Sequence, residues 1–479
     1  MTEYEAVIGL ETHIQLNTES KIFCSCKADS WGDPPNTNIC PVCTGQPGVL
    51  PVPNRGAIEK GVLLAAAMHA DIRPVSFFDR KNYFYPDLPK GYQISQYDMA
   101  LGKGGYLDLP VEDGGKRRVT IHKLHLEEDA GKTIHKTNRR LLDFNRCGVP
   151  LVEMVTGPDL RSADEAADYI RRLRRLLRWI RVSEADMEKG HLRVDANVSI
   201  REKGAQTLNP KTEIKNVNSI EHVREAIEKE IQRQIKEVEG GGRVHSWTLD
   251  WDEDTQTLAK MRSKETEADY RYFREPDLLP LKIDPAWQEE ILTRMPELPR
   301  AREMRFQAQY QLSDYQSGVL TGERALSDYY EATVEFFPGD PEVPAKWIIN
   351  DLQALLNECG IKVEELTLTP QYLAEILALV DGGTINTATG RELLRKVESS
   401  GRPPAAIVEE ENLAQVTDRG EIHTLCSEVI AGNPEQTQEY RDGKKSVLGW
   451  FMGQVMGKTG GKADPQAVRQ TLQQLLEED

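Results

Sequence analysis

The texture of this chain changes at Pro296-Glu297-Leu298-Pro299, and no other feature limits the fold as much. From Met1 to about Pro296, alternating strand-like runs are mixed with turns such as Asp113-Gly114-Gly115 and a few strong helical patterns. Beyond that point the helical period takes over. The pattern predicts an α+β protein. A mixed, sheet-containing domain spans 1–296, a helical middle domain 297–405, and a small helical tail 406–479, with the second boundary at Gly401-Arg402-Pro403-Pro404. A chain of 479 residues exceeds what one hydrophobic core supports, which agrees with that division.

The helices announce themselves by period and by punctuation. After Ser219, apolar residues Ile220, Val223, Ile227, Ile231, Ile235 and Val238 recur at helical spacing until Gly240-Gly241-Gly242 stops them. Ser162 with Glu165 forms a capping-box signature ahead of a helix whose apolar face is Ala166, Tyr169, Leu173, Leu176 and Ile180. Its other face carries Arg171, Arg172, Arg174, Arg175, Arg178 and Arg181, a local RNA-contact candidate whose plainer reading is a solvated or subunit-facing helix. In the tail, Val447, Leu448, Phe451 and Val455 line one helix, and Asp464-Pro465 opens another with a cap and a first-turn proline.

Charge and hydropathy exclude some functions. A formal net charge of -17 argues against non-specific coating of nucleic acid, which needs clustered Lys and Arg. No stretch approaches the roughly 20 apolar residues of a membrane span, and mean hydropathy is -0.54. With no apolar leader segment visible, the expectation is a cytoplasmic protein that does not engage membranes.

Four of the seven cysteines cluster as Cys24-Ser25-Cys26 and Cys40-Pro41-Val42-Cys43. Paired knuckles of this spacing suit a zinc ion, and four thiolates would close its tetrahedron, so the zinc is expected to be structural. A reduced metal-free cluster or a redox pair is the alternative. Cys147, Cys359 and Cys426 read as isolated thiols.

Two segments alternate so that one face is polar. Glu11, His13 and Gln15 oppose Leu10, Thr12, Ile14 and Leu16, while Arg193, Asp195, Asn197 and Ser199 oppose Val194, Ala196, Val198 and Ile200. A solvated sheet face would show the same alternation. Residue type favours a site, because Glu11, His13, Glu127, Glu153 and Asp195 are oxygen and imidazole ligands that suit a divalent cation with phosphate. Glu153 lies in Pro150-Leu151-Val152-Glu153-Met154-Val155, where a charge needs a partner. Sequence leaves both Glu127 and Glu128 open as the ligand; alternation favours Glu127, which shares a face with His125 and Asp129.

The stretch Phe78–Gln96, with Asp79-Arg80-Lys81-Asn82-Tyr83-Phe84-Tyr85-Pro86-Asp87-Leu88-Pro89-Lys90-Gly91-Tyr92, has neither helical nor strand period and reads as an ordered binding loop. It closely resembles the motif of one family, the B subunit of the tRNA-dependent amidotransferase. Ile8-Gly9-Leu10-Glu11-Thr12-His13, Leu124–Lys132 and Arg193–Ser199 continue the resemblance, in order and along the whole chain. The resemblance implies a catalytic cradle, a helical middle domain and a tail that reaches tRNA. It implies ATP-dependent amidation of misacylated Glu-tRNA(Gln) or Asp-tRNA(Asn), with magnesium held by Glu11, His13, Glu127 and Glu153. Lys81, Lys132 and Arg193 become candidate phosphate partners, and Tyr83, Tyr85 and Tyr92 candidate walls for ATP or the terminal adenosine of tRNA.

No familiar nucleotide motif adds to this. Gly131-Lys132-Thr133 lacks the earlier glycine of a P-loop, and Gly453–Thr459 is one residue short and sits in a helical segment. Nor does the chain show a glutaminase nucleophile, so ammonia must come from a partner such as the family's A subunit, in a heterotrimer with a C subunit. Two rival readings are a tRNA-holding scaffold without chemistry and a zinc hydrolase; acidic residues repel phosphate in the first, and four cysteines saturate the metal in the second.

Overall fold

The computed structural model describes residues 3–110, 115–263, 267–414, 419–459 and 463–477; Asp113 and Gly114 of the turn named above lie outside them. The chain divides into two compact units, Met1–Leu298 and Pro299–Asp479.

A ten-stranded sheet organises the first unit. Its centre runs Thr212–Val217, Leu192–Glu202, Tyr4–Gln15, Pro150–Thr156 and Lys116–Glu128, each antiparallel to the next. The parallel pair joins Thr212–Val217 to Trp247–Asp252, and the helix Ile220–Glu239 makes the crossover between them. That helix starts at Ser219, whose side chain caps the His222 N–H, and ends at Gly240.

Strand alternation sends one face of the sheet into the core. Leu10, Ile14, Val152, Met154, Leu124, Leu126, Val194 and Ala196 pack with Tyr169, Leu173, Val223 and Ile227 from the helices. Burying each such side chain is worth about 1.5–3 kcal/mol, so the apolar parity fixes which face looks outward. In the helix Ala163–Trp179, Ser162 accepts the Glu165 N–H at 3.1 Å. The box is only half closed, because the Glu165 carboxylate takes Arg117 and the Arg161 N–H instead. Arg174 and Arg178 are spent on the carbonyls of Ala185 and Glu184, fastening the turn after the helix.

The Phe78–Gln96 stretch departs from its expected loop form. Asp79–Asn82 and Tyr92–Ser95 pair antiparallel as a hairpin, and Phe273–Arg274 adds beside it. Both prolines, Pro86 and Pro89, fall in the connection, where no ladder hydrogen bond is lost. Gln96 is buried and its Oε1 accepts the N–H groups of Leu101 and Leu126, both at 3.0 Å, so a side-chain amide serves where a neighbouring strand would.

The second unit is helical. One apolar cluster runs from Phe306 to Val408, and another from Ile422 to Leu476. Ile407 and Val408 belong to the first, so its packing continues past residue 405 and Gly401–Pro404 is a turn between two of its helices. Val447, Phe451 and Val455 are buried along the helix Val447–Lys458, and Pro465 opens the helix Pro465–Glu477. Among the described residues, no helix is long and apolar enough to cross a membrane.

Candidate cation and phosphate site

Register assembles the polar face. Arg193, His13, Glu153 and His125 stand directly beside one another on four neighbouring strands. Glu11 and Asp195 are partners one step along, and Glu127 lies one step the other way, opposite Leu151. Residues as distant in sequence as Glu11 and Asp195 thus form one patch.

His13 sits at its middle. Its Nε2 lies 3.9 Å from Glu11, 3.7 Å from Glu127 and 3.5 Å from Glu153. His125 Nε2 is 3.5 Å from Glu127 and 3.4 Å from Glu153. The ligand atoms of His13, Glu127 and Glu153 converge within 4.8 Å, as do those of Glu11, His13 and Asp195. Carboxylates and imidazoles converging on one spot suit a divalent cation, and the buried His125 Nδ1 has no hydrogen-bond partner.

Electrostatics agree with the geometry. Burial opposes the charge on His125, yet Glu153 and Glu127 outweigh it and lift the imidazole to about 9. His13 is raised in the same way, against its burial, chiefly by Glu153. Burial works against the Glu153 carboxylate too, but His125 and His13 hold it well below the usual carboxylate range. Glu11 is raised by burial and by Glu153.

The hairpin lies over this patch and completes a cavity of about 500 Å³, a volume suited to a nucleotide-sized ligand. Lys81, Tyr83, Tyr85 and Gln93 line it from the hairpin, and Tyr270 joins them. The Lys81 ammonium lies 4.8 Å from the Tyr270 ring centre. Burial disfavours its charge, but Glu127 and Glu153 more than compensate and keep it protonated. Arg193 donates to Asp129 Oδ2 at 2.9 Å, with Gln15 at 3.2 Å and Arg146 at 3.6 Å from the same oxygen. Lys215 ion-pairs with Asp195.

Of the residues singled out from sequence, Glu11, His13, Glu127, Glu153, Asp195, Lys81, Tyr83, Tyr85 and Arg193 come together at this patch or its cavity. Two do not. Lys132 is exposed on a separate hairpin opposite Asp143, because its strand belongs to a small two-stranded sheet. Tyr92 faces another cavity, with Arg80 stacked on its ring at 4.2 Å, because successive strand residues alternate sides and Gln93 takes the site side. Glu128 likewise points away from the patch, to Lys90. His125 and Asp129 share parity with Glu127 and were visible on that basis; Arg146, Lys215 and Tyr270 carry no sequence signal and arrive only through folding.

The cysteines form a second centre. Sγ atoms of Cys24, Cys26, Cys40 and Cys43 lie within 4.8 Å of one another, and all four are free thiols. The fully buried Lys21 places its ammonium 3.7 Å from Cys43 Sγ. A hydrogen bond from Cys24, opposed by burial and aided by Lys21, brings the Cys43 thiol down to about 5. Four convergent sulfurs beside a buried cation fit a tetrathiolate metal, whose net charge is negative.

Comparison with known proteins matches this architecture. The GatB/GatE catalytic domain matches residues 6–289, and the GatB domain matches 328–476. The B subunit of the aspartyl/glutamyl-tRNA(Asn/Gln) amidotransferase of Carboxydothermus hydrogenoformans is 47% identical over 95% of both chains. The proteins of the same name from Persephonella marina and Thermodesulfovibrio yellowstonii are 46% and 48% identical, again over 95% of each chain. With both domains matched and nearly half the residues shared from end to end, the chain belongs to the B-subunit family of the aspartyl/glutamyl-tRNA(Asn/Gln) amidotransferases.

Proposed function

We propose that this chain is the B subunit of a multisubunit amidotransferase and that the His13 patch is where ATP-dependent amidation of misacylated Glu-tRNA(Gln) or Asp-tRNA(Asn) takes place. The observation that carries this is the union of a cation-type ligand set with Lys81 and Arg193 around one cavity. Anionic ligands alone would repel a triphosphate; the two cations and a bound metal reverse that sign. A magnesium ion held by Glu11, His13, Glu127 and Glu153 would neutralise charge on the transferring phosphoryl group.

The side-chain carboxylate of the misacylated amino acid attacks the γ-phosphate of ATP, releasing ADP. Ammonia then displaces inorganic phosphate from the acyl phosphate. Lys81 is poised to hold the transferring phosphate, and Arg193, steadied by Asp129, to hold its neighbour. Tyr83, Tyr85 and Tyr270 wall the cavity and limit access of water to the acyl phosphate. A zinc ion at Cys24, Cys26, Cys40 and Cys43 would be structural. Glutaminase and third subunits, corresponding to the family's A and C subunits, supply ammonia and complete the heterotrimer, and the helical tail contacts tRNA.

The test uses the complete heterotrimer with misacylated Glu-tRNA(Gln), magnesium, γ-labelled ATP and ammonium chloride. Wild type should form Gln-tRNA, while His13→Ala and Glu127→Ala should lose ATP cleavage by at least about 100-fold and still bind tRNA. Full activity in both variants would place the chemistry on a partner and leave this chain a tRNA-holding scaffold.

A further inference from the structure

Glu127 is one of the candidate cation ligands, and its aim depends on a neighbour. Ser95 Oγ donates to Glu127 Oε2 at 3.1 Å, leaving Oε1 facing His13 at 3.7 Å. Ser95 lies on the Tyr92–Ser95 strand, which Glu128 anchors. The Glu128 carboxylate accepts the Ile94 N–H at 2.8 Å, and its carbonyl accepts Gln93 Nε2 at 2.7 Å. The same carboxylate ion-pairs with Lys90, and the two side chains are 8% and 3% exposed.

The lysine in turn is seated by the cysteine loop. A Cβ placed on Gly45, at φ +68°, would overlap Lys90 Cγ, so only glycine lets the stem cross there. Gly148, at φ +80°, lies between the two groups: a Cβ there would be in ordinary contact with Cys43 Cβ at 3.4 Å and Glu128 Oε2 at 3.9 Å. A cavity of about 240 Å³ lined by Cys24, Cys43, Gly45, Lys90 and Glu128 joins the two regions. One continuous path therefore runs from Cys43 and Gly45 through Lys90 and Glu128 to Ile94, Ser95 and Glu127.

We infer that the buried Lys90–Glu128 pair is a positioning device through which the four-cysteine loop sets the orientation of Glu127 at the cation site. This rests on the cation reading given above. Stability alone does not call for a buried ion pair, since apolar residues of like volume often serve as well. An apolar residue at 128 could not accept the Ile94 N–H and hold the Ser95 strand against Glu127. Partners that orient a ligand in this way commonly change metal affinity by 10–100-fold.

The experiment titrates Mn2+, as the probe cation, into the full chain in its heterotrimer and reads the bound fraction by electron paramagnetic resonance. Zinc content and thermal midpoint are measured on the same samples. Lys90→Met should weaken Mn2+ binding by about 10–100-fold with zinc retained, and Lys90→Arg should recover most of the loss. Should Lys90→Met fail to fold, Gly45→Ala carries the test: it keeps both charges and displaces the lysine stem, and the backbone strain it adds at φ +68° is registered by the zinc content and thermal midpoint. Wild type that binds Mn2+ alongside a folded variant that binds it equally well overturns the inference. Wild type that binds no Mn2+ overturns the cation reading itself, and the inference with it.

Discussion

Asp129→Asn is the most telling single change at the site, because it removes one charge and keeps the size and shape of the side chain. Asp129 is 4% exposed; its Oδ1 accepts the Ala130 N–H at 3.0 Å, and its Oδ2 accepts Arg193 at 2.9 Å and Gln15 at 3.2 Å. Asparagine can keep only one of these edges. With Oδ1 retained on Ala130, the new amide points a donor at two donors. The loss is one charge-assisted hydrogen bond, about 1.5–3 kcal/mol, and one ordinary bond, about 0.5–1.5 kcal/mol. Arg193 is 34% exposed and regains water, which brings the sum down to about 2 kcal/mol. For a unit spanning Met1–Leu298 that is a fall of about 3 °C in the midpoint of its unfolding transition. The freed Arg193 should also raise KM for ATP more than it lowers kcat. Calorimetry with ATP-cleavage kinetics on the same preparation checks both. An unchanged midpoint together with an unchanged KM would refute the view that Asp129 anchors Arg193.

Two further outcomes are expected. The purified protein should contain about one zinc per chain by elemental analysis; Cys24→Ser should release it and lower the midpoint of the first unit, whereas zinc-free wild type would remove the tetrathiolate reading. In the helical unit, burial raises the Glu331 carboxyl, but Arg305 at 2.6 Å and the adjacent Arg302 hold it below its ordinary value. A lowered folded value means stability that is present above the unfolded value of about 4.3 and is lost as pH falls through the folded one. Glu331→Gln should therefore cost about 1–2 kcal/mol near neutrality and flatten the acid limb of the midpoint–pH curve; an acid limb identical to wild type would discard the assignment.

Much of the fold could be read from periodicity. The Ile220–Glu239 helix runs from the serine to the glycine that punctuate it, and the texture change near Pro296 falls at the junction of the two units. The second boundary could not be read so well: Pro403-Pro404 resembles a linker, yet Ile407 and Val408 bury into the preceding core. Punctuation marks where a helix ends, not which core the next one joins. The hairpin was obscured for a similar reason. Two prolines in the connection masked four-residue strands too short to show a period.

At the site, strand parity placed Glu11 on the same face as His13 and favoured Glu127 over Glu128, since period-two alternation is a property of the backbone, while the fold itself turns Glu128 to Lys90. It also carried His125 and Asp129. What the linear order could not supply is which strands are neighbours. Only the tertiary sheet order brings Arg193, His13, Glu153 and His125 into one row, takes Lys132 away on its own hairpin, and delivers Lys215, Arg146 and Tyr270. Face is determined locally, by the direction of each Cβ. Neighbourhood is decided globally, by how the whole sheet buries its apolar side, and the chemistry of this protein depends on both.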